Sequence, residues 1–144
     1  MVSKGSERLL SAHYPVVREV TTRISDMDGY GHLNGIRIGL FYEDARASFY
    51  SVAFEGIERP RFFVAQLTIQ YLAEGHWPGT VQVGTGISRI GNSSFEMAQG
   101  LFMDGRCLGL CETILVYAPG QTSAPLHDEI RARLERMGTV KATE

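Results

Sequence analysis

Hydrophobic and polar residues follow several distinct periods along this chain, and each period predicts an element. Val16 to Ser25 (VVREVTTRIS) is rich in β-branched residues and alternates, which predicts a strand. From Asn34 to about Val52 the period becomes helical. Ile38, Phe41, Tyr42, Ala45, Phe49 and Val52 share one wide apolar arc, and Arg37, Asp44, Ser48 and Ser51 fall on a narrower polar one. Ile36, Leu40 and Ala47 add a second apolar patch, so little of this helix is expected to face water. Gly35 and Gly39 allow close approach of another backbone. Each costs about 1 kcal/mol of helix propensity, so packing rather than propensity must hold the helix. Glu43 and Arg46, three apart on it, are expected to pair with each other.

The second half reads as four strands. Phe62 to Leu72 sets Ala65, Leu67, Ile69 and Tyr71 against Gln66, Thr68 and Gln70. Gly79 to Ile90 follows a His-Trp-Pro-Gly turn, and Ser94 to Met103 follows the Gly91-Asn92-Ser93 turn signal. Arg106 to Tyr117 comes after Asp104-Gly105, a strong hairpin signal. A short amphipathic helix near Pro125 to Met137 closes the chain. This order predicts an α+β domain in which a curved five-stranded antiparallel sheet wraps one long central helix. One domain is expected over 1–144, with an ordered core at about 14–137 and loose ends. Such a sheet leaves edge strands that a second copy would cover, which predicts a homodimer at least.

Composition narrows the function classes. The chain is 44% hydrophobic and 21% charged, ordinary values for a globular protein, and its net charge of −2 gives no footing for nucleic acid. No apolar run is long enough to cross a bilayer, and residues 1–8 lack the hydrophobic segment of a signal peptide, so a cytoplasmic location is expected. Cys107 and Cys111 lie four apart on one predicted strand. Their Cα atoms would then be about 13 Å apart, too far for a disulfide, and two thiols are too few for a metal site. They are expected to be buried and inert.

The chemistry concentrates in Asp26-Met27-Asp28-Gly29-Tyr30-Gly31-His32-Leu33-Asn34-Gly35, between the first strand and the long helix. A carboxylate just outside a helix N-terminus lies beside free N–H groups and the positive end of the helix dipole. That setting suits acyl transfer, in which negative charge appears on an oxygen. Asp28 is the candidate reacting carboxylate, as nucleophile or general base. Its alternative is an Asx turn on its own backbone. Asp26 is expected to stabilise the turn; were it still on the strand it would point the same way as Asp28, and mutual repulsion would raise one of the two carboxyls. A magnesium or calcium site would need more oxygen ligands than this segment offers. His32 either orients the carboxylate, a water or a carbonyl, or packs the loop. Asn34 is a good N-cap that can also position a water. Gly35 contributes its bare N–H to an oxyanion. His76 and Trp77 sit in a turn, and His13 and His127 are expected at the surface.

The pattern Arg23-x-x-Asp26-x-Asp28-x-x-Gly31-His32-x-Asn34, followed by Tyr42-Glu43-Asp44-Ala45-Arg46, resembles the 4-hydroxybenzoyl-CoA-thioesterase-like branch of the hotdog-fold thioesterases. The similarity continues through Ile69-Gln70-Tyr71-Leu72, the Pro78-Gly79 turn and Gly91-Asn92-Ser93-Ser94-Phe95, covering roughly residues 15–135. It implies a hotdog fold, assembly as homodimer or homotetramer, and hydrolysis of an acyl-CoA thioester without metal or organic cofactor. By position it gives Asp28 as catalytic carboxylate and Gly35 as the N–H donor to the thioester carbonyl, with His32 and Asn34 beside them. A pocket at the dimer interface would be lined by Tyr42 and by Phe63, Val64 and Ala65 of the second subunit. Basic residues that grip nucleotide phosphates in some relatives are absent at Gly91, Asn92 and Ser93, with Arg89 the nearest substitute. An acyl-carrier-protein thioester is therefore the first alternative substrate. A non-catalytic acyl-CoA-binding protein and a purely structural dimerisation module are the others. A hotdog dehydratase fits less well, because the loop matches the thioesterase version.

Overall fold

Asn34 starts the central helix. In the computed structural model, which describes residues 6–141, its side-chain oxygen accepts the Ile36 N–H at 2.8 Å, and helix α1 runs Gly35–Ala53. The strands are β1 (Val16–Thr21), β2 (Phe62–Tyr71), β3 (Thr80–Ile90), β4 (Ser94–Met103) and β5 (Arg106–Tyr117), with helix α2 at Asp128–Arg136. They form one five-stranded sheet in the order β1-β3-β4-β5-β2, every pairing antiparallel. This is the α+β hotdog arrangement that the resemblance implies. Asp104 and Gly105 turn the β4–β5 hairpin with positive φ at both positions, as a two-residue turn of matching twist demands. Among the described residues no helix is long and apolar enough to cross a membrane.

Helix α1 buries Ile38, Phe41, Tyr42, Ala45 and Phe49 against the sheet. Two apolar clusters result, one around Ile38, Phe41, Val83 and Leu101, the other around Phe49, Ile87, Met97 and Leu134. Gln99 of β4 fastens helix to sheet: its Nε2 donates to the Tyr42 carbonyl (2.9 Å) and to Thr85 Oγ1 (3.0 Å). Its Oε1 accepts from Arg46 Nη1 at 3.2 Å. Arg46 thus turns inward to the sheet, and the expected Glu43–Arg46 pair does not form. The second apolar patch of the helix is not covered by this chain either, since Ile36 is 79% and Leu40 42% exposed. The sheet covers the face centred on Phe41 and Ala45 and curves away from the other.

Three further expectations are corrected. The first strand ends at Thr21 rather than Ser25, because Thr22 N–H bonds the Gly79 carbonyl and a single 3-10 turn follows at Ile24–Asp26. The ends are packed rather than loose over residues 6–13 and at Val140, while residues 1–5 and 142–144 lie outside the described residues. Arg8 is fully buried on the outer face of the sheet, bonding Tyr14 Oη, Glu112 Oε1 and the Gln99 carbonyl. Val140 N–H donates to the Ile87 carbonyl. Finally, of the two cysteines expected to be buried, Cys111 is buried but Cys107 only half-buried; Leu101 pairs with Gly109 but Phe102 with Cys107, so a bulge lies between them. Cys111 joins the inner core and Cys107 packs on Tyr14 and Phe102 outside. Burial pushes both thiols up, which keeps them protonated.

The segment before α1 is held by Asp26, a fully buried carboxylate. Its Oδ2 accepts the Arg23 backbone N–H at 2.8 Å, and its Oδ1 accepts Arg23 Nη2 at 3.1 Å. Its carbonyl accepts Asn34 N–H at 2.8 Å. Burial alone would push Asp26 up, but the Arg23 hydrogen bonds and guanidinium outweigh it and hold the carboxyl below the usual range. A depressed carboxylate stabilises the fold fully at neutral pH and loses that contribution as pH falls through its folded value. Asp26→Asn is therefore expected to cost about 1–3 kcal/mol at neutral pH, with the gap to wild type narrowing below about pH 4. Urea unfolding at the two pH values checks this; an unchanged midpoint at neutral pH contradicts it.

Candidate active site

The residues between Asp26 and Gly35 form a closed loop. Met27 bridges Leu33, Asp28 N–H donates to the His32 carbonyl at 2.8 Å, and Leu33 N–H donates to the Gly75 carbonyl at 2.9 Å. Gly31 takes φ 85°, a left-handed conformation that side chains disfavour. The last of those bonds docks the β2–β3 connection against the loop. Asp28, Tyr30, His32, Leu33, Gly35 and Ile38 then share one cleft with Tyr71, Ala73, Glu74 and Gly75, of about 530 Å³.

Asp28 realises both readings of its sequence context. Its Oδ1 accepts N–H groups from Tyr30 (2.8 Å) and His32 (3.1 Å), an Asx-type turn. Oδ2 has no partner among the described residues and belongs to a side chain that lines the cleft. The N–H donors of His32 and Tyr30, aided by the His32 charge, hold the carboxyl below its ordinary value. Because the first strand ends at Thr21, Asp26 does not share a strand face with Asp28 and the condition for repulsion between the two aspartates is not met; each is held down by donors of its own.

At the helix start, Gly35 N–H has no acceptor among the described residues, as the first amide of a helix should. The Tyr71 hydroxyl donates to the Gly35 carbonyl at 3.3 Å. A Cβ at position 35 would lie 3.1 Å from that hydroxyl, so a side chain here would press on the phenol. Asn34 spends its Oδ1 on the cap. His32 Nε2 lies 2.9 Å from Glu74 Oε2. Glu74 was invisible in the sequence, where Ala73-Glu74-Gly75 looks like any polar turn; only the docking of Gly75 on Leu33 brings it here.

The remaining candidates lie elsewhere. Tyr42 is fully buried beneath the helix, with a hydroxyl that lacks a hydrogen-bond partner and a phenol that burial pushes well above its ordinary range. Phe63, Val64 and Ala65 are exposed at the start of the β2 edge strand, far from the Tyr71 end. Arg89 is exposed and lines a separate cleft of about 200 Å³ with Gly91, Asn92, Ser93, Ser94, Phe95 and Glu96. His127 is exposed and caps α2 through Nδ1, which accepts Glu129 N–H at 3.3 Å, and His13 is exposed as well. His76 and the half-exposed Trp77 stay in the β2–β3 loop, outside the cleft.

Comparison with known proteins gives this geometry a context. A thioesterase from Thermus thermophilus, crystallised with coenzyme A and zinc, is 28% identical and superposes with a TM-score of 0.81 over 87% of this chain and 95% of that one. A thioesterase predicted in Bacillus stearothermophilus is 23% identical, with a TM-score of 0.78 over 88% and 97%. Slr0204, a 1,4-dihydroxy-2-naphthoyl-CoA thioesterase from Synechocystis, is 16% identical, with a TM-score of 0.71 over 82% and 93%. These last two identities speak to the fold alone. No curated protein matches the chain. Among the described residues no three His, Cys, Asp or Glu side chains converge as metal ligands. The model of the thioesterase-like superfamily matches residues 22–134, from the start of the Asp26 loop into α2, and the chain belongs to that superfamily.

Proposed function

We propose that this protein hydrolyses an acyl-CoA thioester to the free acid and coenzyme A. The observation that carries the reading is that the Asp28 carboxylate and the helix-starting Gly35 amide line the same cleft. The thioester carbonyl would lie with its oxygen at the Gly35 N–H and its carbon facing Asp28 Oδ2. As charge builds on that oxygen, the amide and the helix dipole stabilise it without reorganising. Asp28 then serves as nucleophile towards the carbonyl carbon, or as general base towards a water that attacks it. Held below the usual carboxylate range, it is ionised and ready throughout neutral pH. Asn34 keeps the amide in place through its cap. The coenzyme A carrier rests on the family and on what the Thermus thioesterase was crystallised with. The exposed Arg89 lines the small cleft at Gly91–Ser94, and Arg131 Nη2 donates to the Gly91 and Asn92 carbonyls beside it.

One chain offers little to hold an acyl group. On the inner face of β2, Val64, Leu67 and Tyr71 are each about half exposed, and the β2 edge pairs with β5 on one side alone. An unpaired apolar edge of this kind invites another strand. Antiparallel pairing of two copies about Leu67 would set Phe63 of one opposite Tyr71 of the other. The acyl wall formed by Phe63, Val64 and Ala65 would thereby reach the Asp28 cleft of the second copy. The working unit is a homodimer on this reading, alone or within a homotetramer.

Two outcomes are expected. In a hydrolysis assay across acyl-CoA chain lengths, Asp28→Ala lowers kcat by about 100- to 10,000-fold at unchanged thermal stability; equal rates for both proteins remove Asp28 from the mechanism. Leu67→Arg places a charge at the centre of the paired edge. It is expected to yield monomers by light scattering and to abolish turnover together with assembly, and an active monomer would contradict the shared site.

A further inference from the structure

The Asp28 cleft holds a second carboxylate, and its placement is built rather than accidental. Glu74 sits in the β2–β3 connection with its main chain tied at both sides: Arg106 Nη2 donates to the Glu74 carbonyl at 2.9 Å, and Leu33 N–H to the Gly75 carbonyl at 2.9 Å. A Cβ at Gly75 would lie 2.5 Å from Leu33 Cδ1 and 2.7 Å from Leu108 Cδ1, so any side chain here would have to displace both leucines. The main chain of His32, whose imidazole faces Glu74, is fixed in turn, its N–H and carbonyl both bonding Asp28. The result is a row of three groups, Asp28, His32 and Glu74, lining one cleft. Tyr30 and Tyr71 are the other titratable groups around the ring, and Arg106 is the cation reaching towards it from β5.

We propose that Glu74 is a positioning residue that makes His32 the proton carrier for the departing thiolate, a role that rests on the thioesterase reading of the same cleft. Glu74 Oε2 lies 2.9 Å from His32 Nε2, a placement that favours a proton on that nitrogen, while Nδ1 has no hydrogen-bond partner among the described residues. As the tetrahedral intermediate collapses, the C–S electron pair goes to sulfur and the Nδ1 proton passes to it, releasing a thiol. The imidazole becomes neutral with Nε2–H still held by Glu74. The attacking water supplies the replacement proton, either through Asp28 or directly to Nδ1. One thioester and one water thus give one acid and one thiol, with the ring restored. The carboxylate fixes the tautomer and orientation of the ring, as partners of catalytic histidines do.

Glu74 is 71% exposed on its side chain, so its substitution should leave the fold intact. The test uses the full chain and two thioesters of the same acyl group, one of coenzyme A and one of an aryl thiol acidic enough to leave unprotonated. Glu74→Gln is expected to lower kcat on the coenzyme A ester about 10-fold at a KM within 2-fold, and to leave the aryl ester within 2-fold of wild type. Glu74→Asp is expected to recover part of the loss. Nitrogen NMR of the His32 ring should show Nε2–H dominant in the wild type and the preference lost in Glu74→Ala. Unchanged kcat in Glu74→Gln, equal losses on the two esters, or an unaltered tautomer overturns the role of Glu74 alone. A wild-type protein that turns over neither ester overturns the thioesterase reading, and this role with it.

Discussion

A buried carboxylate decides where the chemistry of this protein sits. Asp26 is removed from water, a costly place for a charge unless it is paired and hydrogen-bonded. Arg23 meets both conditions from three residues away, through its backbone amide and its guanidinium. With that corner fixed, the Asp26 carbonyl receives Asn34, Asn34 caps α1, and the first helix amide emerges at Gly35. The same corner launches the tight loop in which Asp28 folds back on Tyr30 and His32. One lock therefore sets the positions of an anionic group and of a bare donor.

The electrostatics of the site follow from that construction. Two backbone N–H groups on one oxygen of Asp28 hold it ionised and leave the other oxygen for chemistry. The positive end of α1 attracts anions, so it favours both the carboxylate and the oxyanion that a reacting carbonyl would form. The interactions that aim the carboxylate also make it less basic, and in the proposed reaction it is the aim that would lower the barrier. His32 adds a group that can move a proton between these two negative centres, with Glu74 on its far side.

Local features were legible in the sequence. The Asp104-Gly105 pair, the helical period after Asn34 and the alternation in β1 and β2 each reflect steric or burial rules confined to a few residues. The Asp26–Gly35 string showed where the chemistry concentrates for the same reason. What could not be read depended on long-range packing. The bulge that separates Cys107 from Cys111 arises from how β5 registers against β4. Arg46 abandons Glu43 because Gln99, far along the chain, offers its oxygen from beneath. Arg8 is buried because the sheet presents Glu112 and the Gln99 carbonyl to it, with Tyr14 from the turn before β1 beside them. Glu74 enters the cleft through a glycine that packs on Leu33, a contact no spacing reveals.

The account stands on a single geometric relation, that a thioester lodges between the Asp28 carboxylate and the Gly35 amide. A crystal structure with a nonhydrolysable acyl-CoA analogue measures it directly. The expected result places the carbonyl oxygen within hydrogen-bond distance of the Gly35 N–H and the carbonyl carbon next to Asp28 Oδ2, with Phe63 to Ala65 of a second copy along the acyl group. An analogue seated elsewhere, with the cleft at Asp28 empty, would contradict it.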